Sequence, residues 1–129
     1  MQDRPSAPEL LDAVREFLED EIAPALADQR TRFRALVAVN ALKILQREAV
    51  EETDHVYDEA CGLRALLKSD APLPNDADAQ RQLVLHLNAE LARLIRSGRP
   101  PAGTAEHLRR VGNAKLAIAS PEYLRRYRP

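Results

Sequence analysis

The sequence predicts an all-α protein, a single domain over residues 1–129 packed as an antiparallel bundle of about five helices. Three observations predict it. Apolar residues return every three or four positions in successive segments, and no stretch alternates with period two for long enough to make a strand. Glycine occurs only 4 times, and the 9 prolines fall between the apolar runs as helix punctuation. The 129 residues are also enough to bury one core without metal or disulfide staples. That core is aliphatic, because Trp is absent and the chain has only 2 Phe and 3 Tyr.

The first helix starts at Ser6, an N-cap candidate with Glu9 placed three residues on to complete a capping box. Pro8 suits a first turn. Leu10, Leu11, Val14, Phe17, Leu18 and Ile22 hold the helical period until Pro24, which lacks the amide and ends or kinks the helix. The second helix runs from about Asp28 to about Glu52. Phe33, Leu36, Val37, Ala41 and Ile44 form its stripe, widened by Val39, Leu42 and Leu45, as in a helix with several neighbours. Arg30, Arg32 and Arg34 crowd its start against the helix dipole, so a partner for them is expected.

The third helix covers roughly Thr53 to Lys68, with Val56, Tyr57, Ala60, Leu63, Leu66 and Leu67 on one face and Gly62 inside the pattern. Residues 69–75 carry Asp70, Pro72 and Pro74 and read as a loop. A fourth helix begins near Asn75 or Asp76 and stops at Gly98, burying Val84, Leu87, Leu91, Leu94 and Ile95. After the 99–103 loop, Thr104 caps a fifth helix with Leu108, Val111, Leu116 and Ile118, which ends before Pro121. A tail from about 122 to 129 remains, free to be flexible.

Net charge is −1, yet the halves differ. Residues 1–62 hold 14 acidic and 7 basic side chains, and residues 63–129 hold 6 and 12. Antiparallel helices would set the two halves side by side and neutralise them; an outside acidic partner for the second half is the alternative. Cys61 is the only cysteine, so no internal disulfide forms and a reducing compartment is expected. The start of the chain shows no apolar signal core, and no run approaches the roughly 20 residues that span a bilayer. Cytoplasm and no membrane are the expectation.

The polar residues inside the stripes are the candidate sites. Asn40 lies among Leu36, Val37 and Ile44, and Asn88 lies among Val84, Leu85 and Leu91. A buried amide without partners costs about 1–3 kcal/mol, so both should be bonded, either pairing across helices to set register or flooring a polar pocket. Lys115 falls between Val111 and Ile118. It is expected to snorkel to water or to pair with a carboxylate such as Glu48. Glu52 and His55 make one Glu-x-x-His pair and are weak metal candidates, because a di-metal bundle needs two such pairs and further inward glutamates. Glu51, Asp54, Asp58 and Glu59 around them read as a solvated acidic surface. Cys61 has no catalytic context. No phosphate-binding, dinucleotide or nucleophile-elbow motif occurs, and no catalytic residue or cofactor is assigned. Arg125, Arg126 and Arg128, interleaved with Tyr123 and Tyr127, could grip nucleic acid, but a sequence pI of about 6.3 argues against nucleic acid as the partner.

Several stretches carry a resemblance: Arg4-Pro5-Ser6 through Leu10–Leu18, Phe33–Leu42, Leu87-Asn88-Ala89-Glu90-Leu91, and Ala114–Ile118 followed by Pro121 and Tyr123. Together they resemble a family of small all-helical bacterial proteins of unknown function, over nearly the whole chain. Its members are often encoded beside aminoglycoside-phosphotransferase-like kinases and acyl-CoA dehydrogenases. The resemblance implies an accessory role in small-molecule metabolism and carries over no catalytic residue. Asn40, Asn88 and Lys115 match its motif. Lys43 and Gln46 depart from it, standing where aliphatic residues or Ala are typical.

The sequence therefore points to a non-enzymatic helical accessory or interaction protein. It would partner a phosphotransferase-like kinase, an acyl-CoA enzyme or a second copy of itself as a homodimer. The alternative is a bundle binding a small ligand or an acyl chain, with Asn40, Asn88 and Lys115 on the pocket wall.

Overall fold

The structure, a computed structural model, describes residues 4–127. It is all-α, and no strand occurs among the described residues. The helices are α1 (Ala7–Glu16), a π-helical turn (Phe17–Ile22), α2 (Ala23–Ala25), α3 (Gln29–Leu66), α4 (Ala77–Arg96), α5 (Thr104–Ala119) and α6 (Pro121–Arg126). The chain groups into two compact units, divided between Glu51 and Glu52 within α3.

The first unit is a helical hairpin. Ser6 caps α1 as its sequence predicts: the Glu9 amide donates to Ser6 Oγ at 3.4 Å, and the Ser6 amide donates to Glu9 Oε2 at 2.7 Å. The π turn lies directly before Pro24, whose ring crowds the carbonyl four residues back. There the Ala23 amide reaches past the usual partner to the Leu18 carbonyl. Asp28 opens α3 by accepting from the Thr31 amide at 2.9 Å and the Thr31 hydroxyl at 2.6 Å. Of the crowded arginines, Arg32 finds a backbone partner, donating to the Leu26 carbonyl at 2.6 Å.

Two pairs fix the hairpin's sense. Lys43 Nζ donates to Glu19 Oε1 at 2.9 Å, and the Asp12 carboxyl, held below its ordinary pKa first by Arg15, also feels the Gln46 amide. Partner numbers fall on α1 and the π turn as they rise on α3, so the two arms are antiparallel. Lys43 thus joins α3 to the π turn across the hairpin. This also corrects the expected stripe of α3. Val39 is buried, while Phe33, Leu36 and Val37 are exposed at 67%, 46% and 53%. The arms meet through a face that carries Lys43 and Gln46, and the more apolar face stays open.

The second unit is built on the last part of α3. Thr53 does not start a new helix, because α3 runs unbroken from Gln29 to Leu66. No Gly or Pro interrupts it at the Glu52–Thr53 step, and an exposed Thr is tolerated in a helix at small cost. Ala60, Leu63, Val84, Leu87 and Leu91 form the buried core, with Val56, Leu66, Leu67, Leu73 and Leu83 packed against it.

Helix directions within this unit follow from its side-chain pairs. Arg81 of α4 donates to Glu52 at 3.0 Å and Asn88 donates to Glu59 at 2.9 Å. Partner numbers rise together on both helices, so α3 and α4 run the same way. The link between them must therefore return along α3. From Glu52 to Leu66 the helix rises about 21 Å, and an extended link over residues 67–76 reaches about 33 Å. Pro72 and Pro74 suit it to that extended path. It is pinned where Arg64 Nε donates to the Ala71 carbonyl at 2.8 Å and Gln80 Nε2 to the Pro74 carbonyl at 2.7 Å.

Helix α5 runs antiparallel to α3: Lys115 approaches Glu59, and Arg110 and His107 approach Gly62. Asp76 caps α4, accepting from the Ala79 amide at 2.8 Å. Thr104 is not the cap of α5. Gly103 holds that position at a φ of 90°, open to glycine without penalty, and Thr104 Oγ1 donates to the Pro101 carbonyl at 2.6 Å instead. Past Ser120 the chain forms α6, with Pro121 in its first turn.

Candidate functional site

The candidate site is a cavity of about 350 Å³ between α3 and α5 in the second unit. From α3 come His55, Asp58, Glu59, Cys61 and Gly62; from α5 come Arg110, Val111, Ala114 and Lys115. A second hollow adjoins it through Gly62 and Arg110 and reaches His107.

Glu59 is the central group. It is only 7% exposed, which corrects the reading of residues 51–59 as a uniformly solvated acidic surface. Asp54 and Asp58 are exposed as that reading has it, but Glu59 turns inward because it lies three residues after Val56 and four before Leu63, on the core face. Its Oε1 accepts from Asn88 Nδ2 at 2.9 Å and from Lys115 Nζ at 3.4 Å. Among the described residues no protein group donates to Oε2. One buried carboxylate thus ties α3, α4 and α5 together.

The three polar outliers of the sequence part company here. Asn88 is half-buried and bonded to Glu59. Lys115 lines the cavity with its side chain 66% exposed, so it is not a buried lysine, and its partner is Glu59 rather than Glu48. It snorkels because α5 leaves that face uncovered beyond the Glu59 contact. Asn40 is exposed and belongs to the first unit. It is not a buried amide, because the α3 face it shares with Phe33, Leu36 and Val37 has no helix of its unit packed over it.

Gly62 explains how α5 comes so near. A Cβ there would stand 2.6 Å from Arg110 Nη2 and 3.0 Å from two ring atoms of His107. His107 is 5% exposed, and its Nδ1 lies 3.5 Å from Arg110 Nη2. Burial lowers its pKa below the ordinary imidazole value, and the Arg110 guanidinium adds to that, so the ring is neutral near pH 7. Its buried Nε2 has no hydrogen-bond partner. Arg110 itself has no carboxylate within ion-pair distance among the described residues.

Glu52 and His55 do not act together. Glu52 takes the Arg81 fork at 3.0 and 3.3 Å, while His55 lies on the cavity wall. Among the described residues no cluster of three or more His, Cys, Asp or Glu side chains is placed to hold a metal ion. Cys61 is a half-buried free thiol on the same wall, and its proximity raises the pKa of the Tyr57 phenol. In the tail, Arg125 pairs with Glu122, and the Tyr123 and Tyr127 rings lie 4.6 Å apart, tilted by 37°. Arg126 is exposed, and Arg128 lies outside the described residues. Among the described residues no helix is long and apolar enough to cross a membrane.

Residues 24–123 match the family described as a domain of unknown function, DUF6285. The chain belongs to that family. No curated protein and no solved structure matches it. The DUF6285 region takes in the whole cavity wall and Asn40, and it leaves α1 and Arg125, Arg126 and Arg128 outside. Sequence reading missed Glu59, His107 and Arg110. The available signal for the first two was spacing: Glu59 continues the Val56–Leu63 stripe, and His107 lies four residues before Val111.

Proposed function

We propose that this DUF6285 protein is a non-enzymatic interaction protein that pairs with a second copy of itself through the open face of its first unit. The observation that carries the reading is the imbalance of that unit. Its fully buried apolar side chains are the small Ala23 and Val39, while Leu10, Val14, Phe17, Phe33, Leu36 and Val37 are each about half exposed or more. A hairpin with so little core needs a cover. Leu10, Val14 and Phe17 share one face of α1 and the π turn, and Phe33, Leu36 and Val37 share one face of α3.

A second copy supplies the same two faces, and two hairpins make a four-helix bundle. Asn40 supports this occupant. A lone amide in an apolar helical seam fixes register when it meets its own mate across a two-fold axis. The role in the cell is then accessory: the dimer binds an enzyme, for which the sequence resemblance suggests a phosphotransferase-like kinase or an acyl-CoA enzyme.

Light scattering on the purified chain tests the pairing. The expected mass is that of a pair, against 14.4 kDa for one chain. Val37→Asp should return the protein to the single-chain mass with its helicity kept. A wild-type protein that stays at the single-chain mass when concentrated contradicts the reading.

A further inference from the structure

We propose that the cavity between α3 and α5 binds a small zwitterion of the α-amino-acid class, its ammonium on Glu59 and its carboxylate on Arg110. This goes beyond the pairing of first units and does not depend on it. The cavity belongs to the second unit, and its test reads ligand binding rather than mass.

The charges on the wall carry the argument. Asp58 and Glu59 face Arg110 and Lys115 around one space, so the wall holds both signs in equal number. A simple anion would meet two carboxylates there, and a simple cation two bases. A molecule carrying both charges satisfies both sides and adds no net charge to a partly desolvated site.

Two groups on this wall lack the partners that their chemistry calls for. Glu59, more than nine-tenths buried, uses Oε1 for both of its protein donors, and its Oε2 takes none among the described residues. An ammonium offers three donors and completes such a carboxylate. Asn88 holds Glu59 in place from α4. Lys115, at 3.4 Å and mostly exposed, is a loose partner free to swing toward a ligand carboxylate. Arg110 has no acidic partner among the described residues, and its planar fork matches a carboxylate.

The backbone makes room for that arginine. Gly62 leaves open the space that Arg110 Nη2 enters, and a Cβ there would stand 2.6 Å away. The neutral His107 ring lies beside the same guanidinium nitrogen at 3.5 Å and brings no competing positive charge. Val111 and Ala114 give the apolar wall that a short side chain needs. At about 350 Å³ the cavity lies at the small end of ligand sites, in keeping with a metabolite rather than a long acyl chain.

Titration calorimetry with each of the twenty standard amino acids, on the full chain, is the first step. The best binder is then compared with its decarboxylated amine and its deaminated acid; for leucine these are isoamylamine and 4-methylpentanoate. At least one amino acid is expected to bind, with the amine and the acid each weaker by roughly tenfold or more, the loss of one charge-assisted contact. Arg110→Gln, a change at an exposed side chain that leaves the core intact, should erase the advantage over the amine. Glu59→Gln should erase the advantage over the acid, with circular dichroism confirming its fold. Failure of all twenty amino acids to bind at millimolar concentration overturns the proposal. So does an amine or acid that binds as tightly as the amino acid, or an Arg110→Gln protein with unchanged preference.

Discussion

Asn88 Nδ2 lies 2.9 Å from Glu59 Oε1, and through that bond a buried acid on α3 is held by a helix that runs parallel to its own. Lys115 shares the same oxygen but is mostly exposed. The two donors therefore differ in worth. Asn88→Ala leaves a buried carboxylate short of a donor and should cost about 1–2 kcal/mol. Lys115→Met removes a water-screened pair and should cost less than about 1 kcal/mol. Urea unfolding of both variants checks the order, and a larger loss for Lys115→Met contradicts this account of Glu59.

Glu19 links the arms of the hairpin. Lys43 first, and Arg15 second, hold its carboxyl below the ordinary range. A carboxylate with a lowered folded-state pKa stabilises above its unfolded value of about 4.3, and that contribution is lost as the pH falls through the lower folded value. The Glu19 carboxyl resonance should titrate below the ordinary glutamate midpoint. In Lys43→Met it should move back toward that midpoint. An unshifted midpoint in the wild type removes the Lys43 contact from the account.

His107 works in the same sense for a different reason. Burial disfavours its charged form, so the unfolded chain binds its proton more readily than the folded one. This contribution is complete above the ordinary imidazole value of about 6.5 and declines as the pH falls below it. Proton resonances of the ring should titrate with a midpoint under the ordinary imidazole value of about 6.5. A His107 midpoint at or above that ordinary value would contradict a buried neutral ring.

Two helical glycines make a matched pair. Nothing stands within 4 Å of a Cβ built on Gly112, so Gly112→Ala should gain about 0.5–1 kcal/mol from helix propensity alone. Gly62→Ala must displace Arg110 and press on the buried His107 ring. The guanidinium end can move at little cost, but the ring is packed, so this variant should gain less than Gly112→Ala or lose stability. Thermal melts of the two proteins compare them, and equal gains would mean that Gly62 is not needed for the approach of α5.

The helical class, the Ser6–Glu9 box, the Asp76 cap and the burial of Val84, Leu87 and Leu91 on α4 were legible because each is a local pattern, whereas Ile95, expected on the same buried face, is 41% exposed at the end of the helix. The continuity of α3 was not, since Thr53 carries a weak start signal that an unbroken helix simply overrides. The direction of α4 was hidden as well. The composition of residues 67–76 says loop but not how far the loop travels, and only the Glu52–Arg81 and Glu59–Asn88 pairs reveal the return. Half of the site was visible in Asn88 and Lys115. Glu59 was masked by the acidic residues beside it, although its place in the Val56–Leu63 stripe marks it. Asn40 misled because an apolar stripe in sequence does not say whether its cover comes from the same chain.

Asn40 is also where the pairing of first units is tested most directly. In a Cys61→Ala background, Asn40→Cys places one thiol on the open α3 face, one turn past Leu36 and Val37, and Asn113→Cys places one on the exposed side of α5 as a control. Under mild oxidation the Asn40→Cys protein should become a disulfide-linked dimer while the Asn113→Cys protein stays a single chain, since two cysteines bridge only when their Cα atoms lie within about 7 Å. An Asn40→Cys protein that remains single, or that cross-links no faster than the control, would show that this face does not meet its own copy.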